Sequence, residues 1–286
     1  MSQTKINVIG VIGAGTMGSG IASVSALSGY KTIIHDVYDE ALTKAKNSII
    51  NGYDKLAEKG KIDKNKKNTA ESNLEFTSDI NRVSECGLII EAALEDIKLK
   101  KELYKKLEEI TSKDCILATN TSSFSITAIS SAVKNKSNVI GMHFFNPANI
   151  MKLVEIVKGE FTSEESVSKV FEITKSLGKT PVLCKDTPAF IVNRVARPFY
   201  GEALKILAEG GISVEDIDKI MKTEGGFAMG PFELMDLIGI DVNFSVTKSV
   251  FEAFFYDPKY KPSPIQQKMV DAGLLGRKTG QGFYKY

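Results

Sequence analysis

Up to Asp186, short aliphatic runs alternate with longer stretches whose apolar residues recur every three or four positions. The Val- and Ile-rich runs predict strands near 6–12, 31–36, 73–77, 87–92, 115–119, 138–144, 153–157 and 179–184. Between them, Leu42, Ala45, Ile49, Tyr53 and Leu56 mark one amphipathic helix, and Ile97, Tyr104, Leu107 and Ile110 mark another. Val8-Ile9-Gly10-Val11-Ile12 and Gly87-Leu88-Ile89-Ile90 are apolar throughout, as strands buried on both faces are. The pattern predicts an α/β fold with a mostly parallel sheet crossed by helices. After Asp186-Thr187-Pro188 the alternation stops, and helical stretches follow at about 190–209, 213–223, 231–256 and 263–272. Pro188 stands where a helix can begin. The expected organisation is therefore an α/β domain of residues 1–187 followed by an all-helical domain of residues 188–286.

Composition narrows the class. Lys and Arg total 37 against 35 Asp and Glu, a net charge of +2, with 43% hydrophobic and 25% charged residues. That is the profile of a soluble globular protein and excludes a polyanion-coating surface, so neither nucleic acid nor membrane is an expected partner. Cys86, Cys115 and Cys184 are odd in number and far apart, with only two histidines in the chain. Neither a disulfide framework nor a metal cluster is expected, and a reducing cytoplasm fits best. Met-Ser-Gln-Thr-Lys at the start carries no secretory leader pattern, and no apolar run approaches the ~20 residues a spanning helix needs.

The first candidate chemistry lies at the end of the first strand. Gly13-Ala14-Gly15-Thr16-Met17-Gly18 joins that strand to a helix reaching about Leu27. In that context the first glycine permits a tight turn, the second lets backbone approach a pyrophosphate, and the third lets helix pack on strand. Asp36 closes the second strand 21 residues after Gly15, the distance expected of a carboxylate that accepts from a ribose diol. An Asp there also repels a 2′-phosphate, which predicts NAD(H) and a Rossmann-like, dinucleotide-binding first domain. His35 beside it reads as a packing or surface residue.

The second candidate is a histidine and a carboxylate. His143 ends the strand in Gly141-Met142-His143-Phe144-Phe145-Asn146-Pro147. Glu155 stands inside the otherwise aliphatic Leu153-Val154-Glu155-Ile156-Val157, where an unpaired carboxylate is costly. An Arg or backbone donor would satisfy it. Pairing with His143 would instead orient the ring, fix its tautomer and favour its protonated form. Such an imidazole suits a dehydrogenase, which must take a hydroxyl proton in one direction and return it in the other. Ser122, in Thr119-Asn120-Thr121-Ser122-Ser123, follows another strand; it either bonds the reacting oxygen or caps the helix at 125–131.

Taken together, these stretches resemble the 3-hydroxyacyl-CoA dehydrogenase family, in its short-chain bacterial branch. The resemblance extends through Asp186-Thr187-Pro188-Ala189-Phe190-Ile191-Val192-Asn193-Arg194, Gly230-Pro231-Phe232-Glu233-Leu234-Met235-Asp236 and Gly276-Arg277-Lys278-Thr279-Gly280-Gln281-Gly282-Phe283-Tyr284. It implies reversible NAD(H)-dependent oxidation of a (3S)-3-hydroxyacyl-CoA, with 3-hydroxybutyryl-CoA and acetoacetyl-CoA as the pair, in fatty acid and butyrate metabolism. By that resemblance His143 is the acid/base and Glu155 its partner, and Ser122 and Asn193 contact the reacting end of the acyl-CoA thioester. Gly13, Gly15, Thr16, Met17 and Gly18 bind the cofactor and Asp36 holds its adenosine ribose, while Glu95, Lys100 and Asn146 surround its nicotinamide half. The helical domain binds substrate and forms a homodimer. Ala189 departs from the glycine many relatives carry. Without the resemblance Asn193 reads only as a helix-surface amide.

Coenzyme A carries phosphates, and Lys55 and Lys59 share a helix face ahead of Lys61, Lys64, Lys66 and Lys67. They read either as a phosphate grip at a helix end and loop or as a solvated face. A non-CoA 3-hydroxy acid as substrate, and a noncatalytic, crystallin-like nucleotide-binding protein, remain as alternatives. No appended hydratase-like domain is read, so a monofunctional chain is expected.

Overall fold

The computed structural model describes residues 6–286; Met1 to Lys5, on which the leader expectation partly rests, lie outside the described residues. Eight strands form one sheet: β1 (Val8–Ile12), β2 (Lys31–His35), β3 (Leu74–Thr77), β4 (Leu88–Glu91), β5 (Ile116–Thr119), β6 (Val139–Phe144), β7 (Leu153–Lys158) and β8 (Thr180–Lys185). Their spatial order is β3-β2-β1-β4-β5-β6-β7-β8, and every pairing is parallel except β6 with β7. The order reverses between β1 and β4, so the loops leaving their carboxyl ends flank a switch point, where open α/β sheets bind ligands.

Parallel neighbours need crossover connections, and helices supply most of them. They are α1 (Thr16–Leu27), α2 (Asp39–Glu58), α3 (Lys64–Ser72), α4 (Ile97–Ile110), α5 (Ile126–Ser130) and α6 (Glu164–Ser176). Local chemistry starts several of them. The Asp96 carboxylate accepts from the amides of Lys98 and Leu99, and the Ser125 and Ser163 hydroxyls accept from Ala128 and Ser166. Ile9, Val11, Ile34, Leu88, Ile90, Ile140 and Ile156 are buried in the sheet, and α1, α2 and α6 cover them with Ile21, Ala22, Ile49, Tyr53 and Val170.

The chain divides into two compact units, Met1–Thr187 and Pro188–Tyr286. The second is built of α7 (Val192–Glu209), α8 (Val214–Thr223), α9 (Pro231–Ile238), α10 (Ile240–Ala253) and α11 (Pro264–Asp271), with Tyr200, Leu204, Ile217, Phe232, Met235 and Ile240 at its core. Two helices replace the single one expected over 231–256. Gly239, at φ +100°, turns the chain between them, and its amide closes α9 on the Met235 carbonyl. Ala189 has φ +65°, a left-handed backbone conformation that glycine adopts without penalty and alanine does not. Among the described residues, no helix is long and apolar enough to cross a membrane.

Candidate active site

The turn after β1 is shaped for close approach by a ligand. Gly13 has φ +101°, and a Cβ there would lie 2.6 Å from the Ala92 carbonyl oxygen; one on Gly18 would lie 1.8 Å from the Gly13 oxygen. Gly15 differs, since a Cβ there would meet nothing within 4 Å. Gly15 is also the N-cap of α1, with no side chain capping the helix and no acidic residue in its first turn. A bare helix N-terminus beside open space is what a pyrophosphate requires, and Thr16 and Met17 open that helix. Asp36 accepts from the Ala14 amide at 2.7 Å and the Tyr38 amide at 3.1 Å, one bond to each oxygen. Each oxygen keeps a second lone pair for a ribose hydroxyl, so the residues present fit a dinucleotide. His35 is buried, and burial holds its imidazole below the usual range.

The loops after β4 and β5 are tied together by carboxylates. Glu91, fully buried at the end of β4, accepts from Lys100 Nζ at 2.6 Å, the Ala93 amide at 2.7 Å and Thr119 Oγ1 at 2.8 Å. Lys100 is 1% exposed, and its other carboxylate neighbour is Glu95 Oε2 at 3.2 Å. The opposite oxygen of Glu95 accepts from the Thr121 hydroxyl, the Ser122 amide at 3.2 Å and the Ser123 hydroxyl at 2.9 Å. Burial would raise the Glu95 carboxyl, but the Lys100 charge and the hydroxyl donors outweigh it and hold it below the usual range. The Ser122 hydroxyl makes no hydrogen bond within the described residues; the cap of α5 is Ser125, with Asp186 accepting from Ser125 Oγ and the amides of Ile126 and Thr127. Of the two readings of Ser122, the helix cap is the one the structure removes.

His143 and Glu155 face each other directly across the antiparallel β6–β7 pair. Their side chains meet at 2.7 Å, Nδ1 to Oε2, with His143 6% and Glu155 1% exposed. A carboxylate at that distance favours the tautomer that carries the proton on Nδ1. The Asn120 side chain accepts from the Phe144 amide at 2.9 Å, joining β6 to the loop after β5, and the Phe145 ring packs 4.6 Å from the imidazole. Lys179 donates to the carbonyls of Ala148 and Met151 at 2.5 and 2.8 Å, securing the segment that follows Asn146; burial lowers this ammonium's pKa.

Asn146 is exposed and lines a cleft of about 440 Å³ with Gly15, Thr16, Ser19, Gly20, Ser48 and Gly52. Lys55 and Lys59 lie beyond Gly52 at the end of α2, exposed and outside any ion pair among the described residues. The segment expected as loop contains α3, on which Lys67 is paired with Asp54 and Glu71. Within the first unit the structure thus gathers every sequence-predicted site residue around the carboxyl ends of its strands and along α1 and α2. Asn193 lies in the second unit, half-buried in the first turn of α7, where its carbonyl accepts from Arg197 Nε at 3.2 Å. Sequence reasoning missed Glu91, Asn120 and Lys179. Glu91 carried a signal akin to that of Glu155, a lone carboxylate in an otherwise aliphatic strand, here at the strand's end.

Residues 8–187 match the family model described as "3-hydroxyacyl-CoA dehydrogenase, NAD binding domain", and residues 190–286 match "3-hydroxyacyl-CoA dehydrogenase, C-terminal domain". The chain is 46% identical over 282 residues to 3-hydroxyadipyl-CoA dehydrogenase of Escherichia coli, covering 99% of itself but 59% of that longer protein. It is 44% identical to a probable 3-hydroxybutyryl-CoA dehydrogenase of Deinococcus radiodurans, covering 97% of itself and 99% of the relative. The crystal structure of (S)-3-hydroxybutyryl-CoA dehydrogenase from Ralstonia eutropha superposes with a TM-score of 0.95 at 38% identity, over 99% of both chains.

Proposed function

The chain belongs to the 3-hydroxyacyl-CoA dehydrogenase family of NAD-dependent oxidoreductases, and from that premise we propose that it interconverts (3S)-3-hydroxybutyryl-CoA and acetoacetyl-CoA with His143 as the acid/base. The observation that carries this reading is the buried 2.7 Å contact between His143 Nδ1 and Glu155 Oε2. A fixed tautomer makes the ring useful in both directions. In reduction the protonated imidazole gives its Nε2 proton to the oxygen on C3, and in oxidation neutral Nε2 takes it back. Glu155 supports the charged ring before the proton leaves and after it returns. A positioned base of this kind contributes ~10²–10⁴-fold to rate.

Gly13, Gly15, Thr16, Met17, Gly18 and Asp36 would hold the adenosine side of NAD(H), with Glu95, Lys100 and Asn146 on the nicotinamide side. When bound, NAD(H) supplies or accepts the hydride at C3. The unengaged Ser122 hydroxyl donates to the C3 oxygen, and Asn193 contacts the thioester end. The coenzyme A chain runs along the cleft walled by the small residues of α1 and α2, toward Lys55 and Lys59. The helical unit, whose surface carries exposed Ile206, Leu237, Ile238 and Val242, joins two copies into a homodimer.

The test is NADH oxidation followed at 340 nm. Acetoacetyl-CoA should be turned over, while free acetoacetate and NADPH should support little reaction. Turnover of acetoacetate at an equal rate would overturn the thioester assignment. Preference for 3-oxoadipyl-CoA would move the substrate to the dicarboxylic class in the name of the E. coli relative. Light scattering should give twice the 31.2 kDa chain mass, and a monomer would remove the dimer.

A further inference from the structure

A carboxylate at the end of a strand whose other residues are Leu88, Ile89 and Ile90 is costly to bury, and an aliphatic side chain there would pack at no such cost. Glu91 is nevertheless 0% exposed and fully employed, and its donors come from three places. The Ala93 amide belongs to the loop after β4, Thr119 to the end of β5, and Lys100 to the first turn of α4.

We propose that Glu91 is a positioning residue: through Ala93, Thr119 and Lys100 it sets the loops that follow β4 and β5, and so fixes where Glu95 and the Ser122 hydroxyl stand. The inference rests on the dehydrogenase reading above for the role it gives Ser122. Each link is one contact long. The Ala93 bond holds the segment whose Ala92 carbonyl lies against Gly13, and the Ala92 amide in turn donates to the Ile12 carbonyl at 2.8 Å. Thr119 Oγ1 donates to Glu91 and accepts from the Thr121 amide at 3.2 Å, so the carboxylate orients the first residue of the Ser122 turn. Lys100, almost without exposure, lies between Glu91 and Glu95, and Glu95 then grips that turn through Thr121, Ser122 and Ser123. One cation shared by two carboxylates passes the position of the buried one to the more exposed one. Thr119, Thr121 and Ser123 spend their hydroxyls inside this network, which leaves Ser122 Oγ as the hydroxyl of the turn available to a ligand. Outer partners that orient reacting groups typically matter by ~10–100-fold, and a misplacement of about 1 Å costs a similar factor.

Two measurements test this. The first is hydrogen exchange on the unliganded protein. Glu91→Gln should speed exchange in peptides spanning 92–96 and 118–124, and Glu91→Gln/Lys100→Met, which removes both buried charges together, should do the same if the single variant folds poorly. Unchanged protection at 118–124 would overturn the proposal. The second is a double-mutant cycle on acetoacetyl-CoA reduction. Glu91→Gln should lower kcat/KM ~10–100-fold in the wild-type background, but less than about threefold further in Ser122→Ala, because the positioned group is then already gone. Losses that multiply would assign Glu91 a purely structural role and overturn the link to Ser122. A wild-type chain that does not reduce acetoacetyl-CoA would sink the functional reading alone, and the exchange measurement would then decide the positioning by itself.

Discussion

Gly15 and Gly18 belong to one turn, three residues apart, yet a methyl group should act on them differently. Gly18 has no room, because its Cβ would overlap the Gly13 carbonyl oxygen at 1.8 Å. Gly15 has ordinary backbone angles, φ −69° and ψ −173°, and an open flank. Gly15→Ala should therefore leave Tm within about 2 °C of wild type while weakening NADH binding, measured by nucleotide fluorescence, by about tenfold or more. Gly18→Ala should lower Tm by about 5–10 °C, as overpacking against backbone does. Equal Tm losses in the two variants would contradict this division of roles. The same residue scale explains what could be read in advance. Glu155 was legible because a lone carboxylate in an aliphatic strand demands a donor, and Asp36 because its distance from the glycine turn is set by the length of one helix and one strand. The choice for Ser122 was not legible, since a serine one turn before a helix looks like its cap whether or not Ser125 already fills that place.

At the scale of elements, the long amphipathic helices α2 and α4 follow directly from their apolar spacing, whereas α3 is mostly polar and its sequence reads as loop. Its start depends on one side chain, Asp63, which accepts from the Lys66 amide at 2.7 Å. The break between α9 and α10 rests on Gly239, which an apolar pattern running across both helices conceals. α3 also alters the picture of the basic segment, because Lys67 is paired while Lys55 and Lys59 stay free among the described residues. Lys55→Glu/Lys59→Glu should raise the KM for acetoacetyl-CoA by about tenfold while leaving the KM for NADH unchanged, as expected where charge attracts one ligand and not the other. Equal changes in both would return these lysines to the role of a solvated face.

For the molecule as a whole, runs of apolar strands and one glycine turn are enough to predict a mostly parallel α/β sheet, because strands covered on both faces cannot alternate. Direction within each pair is harder, since periodicity does not encode it. The antiparallel β6–β7 pair is what sets His143 opposite Glu155, and a parallel neighbour in its place would not give that register. The catalytic reading thus depends on a topological detail that sequence spacing leaves open. Its most direct test is the rate of acetoacetyl-CoA reduction by His143→Gln, with NADH affinity measured on the same protein. The variant should bind NADH as wild type does and lose ~10²–10⁴-fold in kcat, the contribution of a positioned general acid. A kcat within fivefold of wild type would contradict the assignment of His143 as the group that moves the proton.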